Sequence, residues 1–461
     1  MFTKETAAKV LEQALSSGGD FAEIFAEDTR HASISLGAGK VDGSVSARIY
    51  GAGVRIFKNN FYSYAYTSDL SEESLLKTAA KAAQTLREKS LFQCVNFVDY
   101  PFENRHQIEI NPIDAEREQK VALLRQASQV IYSGGCQIVR TDVSFSAVDQ
   151  QVLICNSDGF WGSDKRIRSS VRMSAIAEDS GRRYSGFESL AGLRGFEMFT
   201  AENIEKKAEQ LAANSLEMLK AENCPAGRMP VVICPGQGSV LFHEACGHSL
   251  EATAVAKKAS VFADKLGEMI ANEQVTLIDD GTLPNHWGST NIDDEGIQTR
   301  RNVLIEKGVL KGYLIDRFNA RKMQMKPTGS SRRESFRYAP TSRMNNTFIL
   351  EGGYDPEEII ADTPNGIYVA QISGGSVEPQ TGEFNFSVDR AYKIENGKLG
   401  VPVKGAKLIG TGAEILQKVD RVGTNLEIKG GGMCGSLSGG VPVCNGQPTI
   451  RISSLLVGGQ K

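Results

Sequence analysis

Residues 243–248 read His-Glu-Ala-Cys-Gly-His, and they follow a predicted buried strand over 229–234 and a Pro-Gly-Gln-Gly turn at 235–238. This strand–turn–helix unit brings two imidazoles and a carboxylate within six residues, in a chain that has only five histidines. Imidazole is a good zinc ligand, and a carboxylate beside a metal site can act as a general base. The stretch therefore predicts a helix that carries the metal site of a hydrolase.

The spacing of the two histidines is unusual. His243 and His248 are five positions apart, whereas the familiar zinc-protease helix H-E-x-x-H separates its ligands by four. An α-helix turns about 100° per residue, so the two rings would point about 140° apart. A shared metal then requires a distortion such as a π-bulge, which Gly247 would tolerate. Two unrelated histidines on one helix are the alternative, and the intervening Glu244 disfavours it.

A catalytic zinc site usually has three protein ligands and one open position, so a third donor is needed. Cys246 and Glu251 lie close to the motif, and His286 stands in a Pro-Asn-His-Trp turn. Cys434 lies in Gly-Gly-Gly-Met-Cys-Gly, and Cys444 follows ten positions later. Chemistry alone favours Cys434, because glycines let the backbone approach a metal closely. For each cysteine, a buried structural thiol is the alternative.

The composition is that of an ordinary globular protein with two or three domains. The net charge of −3 gives no reason to expect nucleic acid or an anionic membrane as a partner. No apolar run is long enough to span a bilayer, and residues 1–17 lack the apolar core of a signal peptide. We therefore expect a cytoplasmic protein.

Apolar periodicity in the first half predicts helices and antiparallel strands. Separate strands are expected over 21–25 and 32–36, and a helix over 114–132. Residues 136–187 are typical of an antiparallel meander, with turn signals at 156–159 and 180–181. This half is predicted to be an α/β region with an antiparallel sheet.

The second half is rich in strands separated by glycine turns, one of them predicted over 309–315. The whole chain is therefore predicted to be α+β, with a C-terminal β-barrel-like domain that carries the metal-binding helix. A linker at 224–227 separates residues 1–223 from residues 228–461. The first of these regions is expected to divide again near 100–112.

Charged clusters in the second half have several interpretations. The acidic runs at 279–281 and 293–296 could bind a hard cation, but their spacing does not match an EF-hand loop. Solvated turns are the favoured interpretation. Arg332, Arg333 and Arg337 form a basic patch that could hold a peptide carboxylate or support an acidic loop.

Several stretches together resemble the TldD/PmbA (TldE) family of zinc metallopeptidases. They cover nearly the whole chain and are far more specific than the His-Glu pair alone. They are Gly-Ala-Gly-Val-Arg at 51–55, Tyr-Ala-Tyr-Thr at 64–67, the motif and its continuation at 243–252, Asp-Asp-Gly-Thr at 279–282, Asp-Asp-Glu-Gly at 293–296, Gly-Tyr-Leu-Ile-Asp-Arg at 312–317, Cys-Gly at 434–435, Gly-Val-Pro-Val at 440–443 and Gly-Gln-Pro-Thr at 446–449.

The resemblance implies a zinc-dependent peptidase that acts on unfolded or short peptides. It implies His243, His248 and Cys434 as the metal ligands and Glu244 as the catalytic general base. Members of this family work as pairs in which the TldE-type subunit lacks the metal motif. This chain keeps the motif, so the resemblance implies the catalytic subunit of a heterodimer with a TldE/PmbA-type partner, or a homodimer.

Two other functions remain open from the sequence. The chain could be a chaperone-like peptide-binding module whose metal is structural, although a structural zinc normally has four protein ligands. It could also be a structural subunit that activates a partner, but a pure scaffold has no need of metal ligands.

Overall fold

The structure is a computed structural model that describes residues 1–86, 88, 90, 95–236, 238–378 and 380–459. Its architecture is α+β, as predicted, with helices packed on an antiparallel sheet in the first half and closed β structure in the second. Among the described residues, no helix is both long and apolar enough to cross a bilayer.

The first half of the chain builds one mainly antiparallel sheet in the order β3-β2-β1-β5-β6-β4, and β7 pairs with β6. Its elements are α1 (Lys4–Leu15), β1 (Phe21–Gly37), β2 (Lys40–Lys58), β3 (Phe61–Thr67), α2 (Glu72–Ala83), β4 (Val98–Asp99), α3 (Arg117–Ser133), β5 (Ile138–Asn156), β6 (Phe160–Asp179), β7 (Arg182–Gly192) and α4 (Ala201–Met218). The predicted meander is confirmed, since β5, β6 and β7 turn at 156–159 and 180–181.

The expectation of separate strands over 21–25 and 32–36 is wrong. Both segments belong to the single strand β1, which pairs along its length with β2 and β5. A bulge between Ser35 and Leu36 lets the β1–β2 pairing continue to Gly37. Polar residues at 27–33 interrupt the apolar pattern, but Glu27 and Thr29 are buried, and Glu27 accepts from the Phe336 N–H of the second half.

The second half contains short helices between many strands. They are β8 (Glu222–Asn223), β9 (Gly227–Ile233), α5 (Val240–Phe242), α6 (Ala252–Val255), β10 (Leu277–Asp280), β11 (Arg301–Glu306), β12 (Val309–Leu310), α7 (Arg317–Met323), β13 (Ser331–Arg332), β14 (Thr341–Ser342), β15 (Asn346–Ile349), α8 (Pro356–Ala361), β16 (Asn365–Val377), β17 (Glu383–Glu395), β18 (Lys398–Lys404), β19 (Lys407–Thr411), α9 (Gly412–Lys418), β20 (Val419–Val422), β21 (Glu427–Ser436), β22 (Gly439–Gln447) and β23 (Ile450–Gly458).

The strands β16, β9, β23, β19 and β17 follow one another in a sheet, and β17 pairs back onto β16. This closure makes a barrel, which confirms the predicted β-barrel-like domain. Apolar side chains such as Val231, Ile367, Phe386 and Ile452 are fully buried in the core of this half. A second sheet in the order β12-β11-β10-β15-β22-β21 leaves β21 at its edge.

The predicted strand over 309–315 is wrong beyond Leu310, where β12 ends. The Leu314 N–H donates to the Leu250 carbonyl, and the Leu314 carbonyl accepts from the Ala252 N–H. After β12 the chain therefore leaves β11 and pairs with residues 250–252, which follow the His-Glu motif. This pairing holds the chain in place directly after the motif.

A buried ion network joins the first sheet to loops of the second half. Arg55 on β2 contacts Glu23 on β1 at 2.8 Å and also pairs with Glu295, and none of these side chains is more than 2% exposed. Arg333 donates to Glu23 at 3.1 Å. We use the name buried ion network for Glu23, Arg55, Asp164, Arg166, Asp294, Glu295 and Arg333.

The interpretation of the acidic runs as solvated turns is wrong. Asp294 is buried and accepts a hydrogen bond of 2.7 Å from Arg166 on β6. Asp279 on β10 is fully buried, and its carboxylate accepts from the Asn345 N–H and the Thr347 hydroxyl. Burial raises the pKa of Asp279 to about 6. The runs are structural, and the partners of Asp279 and Asp294 come from elsewhere in the chain.

Candidate metal centre

The helical segment after β9 is distorted at the His-Glu motif. It begins as α5, continues as a π-helical turn over His243–Gly247 and ends as a 3₁₀ turn over His248–Leu250. The His248 N–H bonds to the His243 carbonyl, which is an i to i+5 hydrogen bond. The predicted π-bulge is therefore confirmed. A π turn brings residues five apart onto the same face of the helix.

Gly247 has a different role from the one expected. Its φ is −57°, an ordinary helical value, so it is not needed for an irregular backbone. A Cβ at this position would lie 2.1 Å from the Met344 sulfur. A side chain here would require Met344 to move, because the helix packs closely against it.

The π turn and the edge strand β21 bring three potential metal donors together. The Cys434 Sγ lies 3.3 Å from the His243 Nε2 and 3.1 Å from the His248 Nε2. The two imidazole rings are nearly perpendicular, at 85°, with centroids 5.2 Å apart. Within the part of the chain that the structure describes, this is the one group of His, Cys, Asp and Glu side chains that could hold a metal, with donor atoms within 4.8 Å of one another.

The donor set fits zinc. Zinc–nitrogen and zinc–sulfur bonds of about 2.0–2.3 Å in a tetrahedron place donor atoms about 3.3–3.6 Å apart. The two distances from the sulfur, 3.3 and 3.1 Å, lie within a few tenths of an ångström of that range, and all three donor atoms lie within 4.8 Å of one another. Burial lowers the pKa of His243 well below its usual value, which keeps this imidazole neutral, as a metal ligand must be.

Glu244 stands beside the donors. Its Oε2 lies 3.5 Å from the His248 Nε2, and its side chain remains 26% exposed. Burial of the carboxyl raises the pKa of Glu244. A carboxyl group with a raised pKa can both accept and return a proton near neutral pH.

Glu251 and Arg343 contact two of the three donor residues, His248 and Cys434. The Glu251 Oε2 lies 3.2 Å from the His248 Nδ1, and its other oxygen lies 3.7 Å from the Arg343 Nε. Arg343 is fully buried and donates to the Cys434 carbonyl. Although burial disfavours the charged form of His248, the Glu251 carboxylate and Cys434 raise its pKa. Carboxylates bonded to the outer nitrogen of a ligating histidine orient the ring.

The other candidate donors lie elsewhere. Cys246 is fully buried in the apolar core, and Cys444 is buried on β22. The His286 Nδ1 lies 3.0 Å from the Pro284 carbonyl, in its own turn. Glu251 contacts a donor instead of completing the cluster. The sequence reasoning missed Arg343, because its link to Cys434 crosses 91 positions and no local pattern marks it.

Comparison with family models covers most of the chain. Residues 22–86 match PmbA/TldA metallopeptidase domain 1, residues 110–219 match the PmbA/TldA metallopeptidase central domain, and residues 226–459 match the PmbA/TldA metallopeptidase C-terminal domain.

Curated relatives have similar lengths. A metalloprotease TldD homologue of Haemophilus influenzae is 36% identical over 424 residues, which is 89% of this chain and 86% of that protein. A metalloprotease of Methanocaldococcus jannaschii is 34% identical over 98% of this chain and 99% of its own. A protein of Saccharolobus solfataricus named as a zinc metalloprotease TldD homologue is 27% identical over 63% of this chain and 65% of its own.

Solved structures share the fold. TldE from Thermococcus kodakarensis superposes with a TM-score of 0.79 at 19% identity, covering 98% of this chain and 99% of that chain. A Thermotoga maritima protein described as a candidate modulator of a DNA gyrase gives a TM-score of 0.80 at 22% identity, over 99% of this chain and 100% of that one.

Proposed function

This chain belongs to the PmbA/TldD metallopeptidase family, and from that premise we propose that it is a zinc-dependent peptidase whose metal is held by His243, His248 and Cys434. Relatives over most of its length are named metalloproteases. We propose that Glu244 is the catalytic general base, and that the substrates are unfolded or short peptides.

One observation carries the proposal. Two imidazole nitrogens and a thiol sulfur from segments about 190 positions apart converge within 4.8 Å in a mostly buried site. A bound cation would engage the Nε2 of each ring and the sulfur at once.

In this mechanism Glu244 moves the proton. Zinc, when bound, supplies Lewis-acid polarisation of a carbonyl and makes a water molecule easier to deprotonate. Glu244 takes the proton of the attacking water at its carboxylate and returns it to the nitrogen of the leaving amine. The half-buried position of Glu244 favours this cycle, because its raised pKa makes the carboxylate a better base.

Glu251 and Arg343 are positioning residues in this proposal. Glu251 holds the His248 ring through Nδ1, so that Nε2 faces Cys434. Arg343 ties the backbone of Cys434 to the same carboxylate. These contacts preorganise the donors before a metal arrives.

The position of β21 at the edge of its sheet favours a peptide substrate. Cys434 lies on this edge strand, and the exposed side chain of Leu437 follows its last residue. Extended peptides commonly bind by adding a strand to such an edge. We further propose a TldE-type subunit as the partner, on the likeness of fold to TldE from Thermococcus kodakarensis, with a homodimer as the alternative.

The Glu244→Gln variant tests the base assignment. We expect it to keep about one zinc per chain and to lose peptide cleavage by about 10²–10⁴-fold, since the amide cannot accept the proton. Glu414→Gln is the control, because Glu414 is similarly exposed, at 33%, and takes no part in the site. Zinc content by atomic absorption and cleavage of an unfolded peptide, with and without the partner, are the measurements.

Two results would contradict this function. Full cleavage by Glu244→Gln with zinc bound would remove Glu244 from the mechanism. Stoichiometric zinc with no cleavage by the wild-type chain, alone or with its partner, would instead favour a peptide-binding module with a structural metal. The described donor group has three members, which is fewer than a structural zinc normally uses.

A further inference from the structure

A cavity of about 310 Å³ lies between the first sheet and the second half of the chain. Its polar walls come from both, with Glu27 and His31 on β1, Arg168 on β6, Arg332 on β13 and Glu334 nearby. Its apolar walls are Ile49, Val148, Trp287, Met433 and Pro442. The volume is sufficient for a ligand of amino-acid size.

Two buried guanidinium groups in this wall have only carbonyl partners. Arg168 is 4% exposed and donates to the Trp287 and Ser289 carbonyls at 2.8 and 2.9 Å. Arg332 is 5% exposed and donates to the Met344 and Pro442 carbonyls at 2.8 and 2.6 Å. Across the residues that the structure describes, no carboxylate forms an ion pair with either group.

This arrangement is unlike the neighbouring arginines. Arg166 pairs with Asp164 and Asp294, and Arg333 pairs with Glu23. Buried charges are normally paired, so two unpaired guanidinium groups at one cavity are unusual. Burial, and then the nearby Arg332 and Arg166, lowers the pKa of Arg168 to about 9, although Asp164 and Asp294 act in the opposite direction.

The acidic groups at the cavity are already engaged. Glu27 accepts hydrogen bonds from the Phe336 N–H, the Gln150 amide and the Thr29 hydroxyl. Asp294 pairs with Arg166, and the exposed Glu334 accepts from the Gly440 N–H. The His31 Nε2 is buried without a partner among the described residues. Among the described residues, no carboxylate is in ion-pair contact with Arg168 or Arg332, so their guanidinium groups can receive one from a ligand.

The cavity is separate from the metal donors. Met433 pairs with Pro442 across the β21–β22 hairpin, and Cys434 pairs with Val441. Successive side chains on a strand point to opposite faces. Met433 and Pro442 line the cavity, so Cys434 presents its sulfur to the other face of the same hairpin.

We propose that this cavity is a binding site for a small organic carboxylate, such as an N-acylated amino acid or the C-terminal residue of a short peptide. Arg168 and Arg332 receive the carboxylate, because planar guanidinium groups match its geometry. Trp287, Val148 and Ile49 pack against the apolar body. These apolar walls favour an organic carboxylate over inorganic phosphate. The site does not depend on the proposed peptidase activity.

The test measures the binding of N-acetyl-leucine by calorimetry and by the shift in melting temperature. We expect binding to the full chain, no binding of the neutral N-acetyl-leucinamide, and no competition from inorganic phosphate at equal concentration. Because a carboxylate can also bind zinc, the measurement is repeated after EDTA treatment, where binding is expected to persist. That repeat also separates this site from the metal centre.

Variants on one strand sharpen the test. Arg168→Gln is expected to weaken binding by about tenfold, the loss of one charge-assisted contact. Arg172→Gln is the matched control, because Arg172 lies on β6 four positions further on and is exposed. If Arg168→Gln does not fold, two measurements replace it. These are the binding of N-acetyl-leucine by Arg168→Lys, and the comparison of N-acetyl-leucine with N-acetyl-leucinamide on the wild-type protein.

Each of the following results overturns the proposal: equal binding of the amide and the acid, loss of binding on EDTA treatment, or equal weakening by Arg172→Gln. Displacement of N-acetyl-leucine by phosphate alone would mean that the cavity binds anions without using its apolar walls, and would also overturn the assignment.

Discussion

The metal-donor cluster and the buried ion network are both polar and buried, but they are satisfied in opposite ways. In the network, each arginine faces a carboxylate, as in the contacts of Arg55 with Glu23 and Glu295. In the cluster, the Nε2 atoms of His243 and His248 and the sulfur of Cys434 converge, and each of these atoms can bind a metal ion. Matched charges hold parts of a protein together, whereas converging metal-binding atoms offer a site to a cation. The difference separates a structural cluster from a proposed functional one.

The largest effect is expected from breaking the network. Arg55→Met leaves the buried Glu295 without its ion-pair partner and leaves Glu23 with Arg333 alone, and it should lower the free energy of unfolding by about 3–5 kcal/mol. Urea unfolding measures this change. Arg48→Met is the matched control on the same strand, because Arg48 forms a 2.7 Å pair with Asp28 while 61% exposed. That exposed pair should contribute less than about 1 kcal/mol.

If Arg55→Met and Arg48→Met lowered the free energy of unfolding equally, the contacts of Arg55 in the buried ion network would contribute no more stability than an exposed ion pair. The comparison also predicts that the folded fraction of Arg55→Met still binds zinc. The network shares no residue with the donor cluster.

A second prediction concerns pH. His106 is buried, and its Nδ1 accepts a 3.2 Å hydrogen bond from the Asn285 N–H. Burial lowers its pKa from 6.5 to about 4. The unfolded chain therefore takes up a proton as the pH falls from 6.5 to 4 while the folded protein does not. Up to about 3 kcal/mol of stability should be lost across that window.

His106→Asn tests this, because the asparagine oxygen can replace the acceptor but cannot titrate. We expect the fall in stability between pH 7 and pH 4.5, measured by urea unfolding, to be smaller in this variant. His286→Asn is the control, since His286 lies in a partly exposed turn. An unchanged pH dependence in His106→Asn would assign the acid sensitivity to other groups.

The smallest effect is expected from changing Glu251, which contacts the His248 ring of the metal-donor cluster. Glu251→Gln should weaken zinc binding by about tenfold, because the amide orients His248 without a negative charge. Competition with a chromogenic chelator measures the affinity. Glu268→Gln is the control, at an exposed position on the same half of the chain. Unchanged zinc affinity in Glu251→Gln would leave Glu251 a purely structural residue.

Local patterns predicted local geometry well. The five-residue spacing of His243 and His248 predicted the π turn, because helix geometry depends only on nearby residues. The turn signals at 156–159 and 180–181 correctly divided the meander. Cys434 was favoured for its glycine neighbours, and the family resemblance named the same residue.

Contacts between distant segments were harder to predict. The acidic runs were interpreted as solvated, because the partner of Asp294, Arg166, is 128 positions away. Arg343 was missed for the same reason. The strand expected over 309–315 ended early because Leu314 pairs with the segment after the motif. The division of the chain between residues 223 and 228, with a further division near 100–112, stays a prediction.

The 191 positions between His243 and Cys434 have a consequence for how the protein is made. A ribosome releases the histidines long before it releases the cysteine, so a nascent chain can offer a metal two donors but not three. In the proposed site, coordination by all three donors would have to wait until β21 has been synthesised and has docked. Loading with metal would then follow the folding of this segment, and an ion that prefers the folded protein would make its unfolding less favourable by mass action.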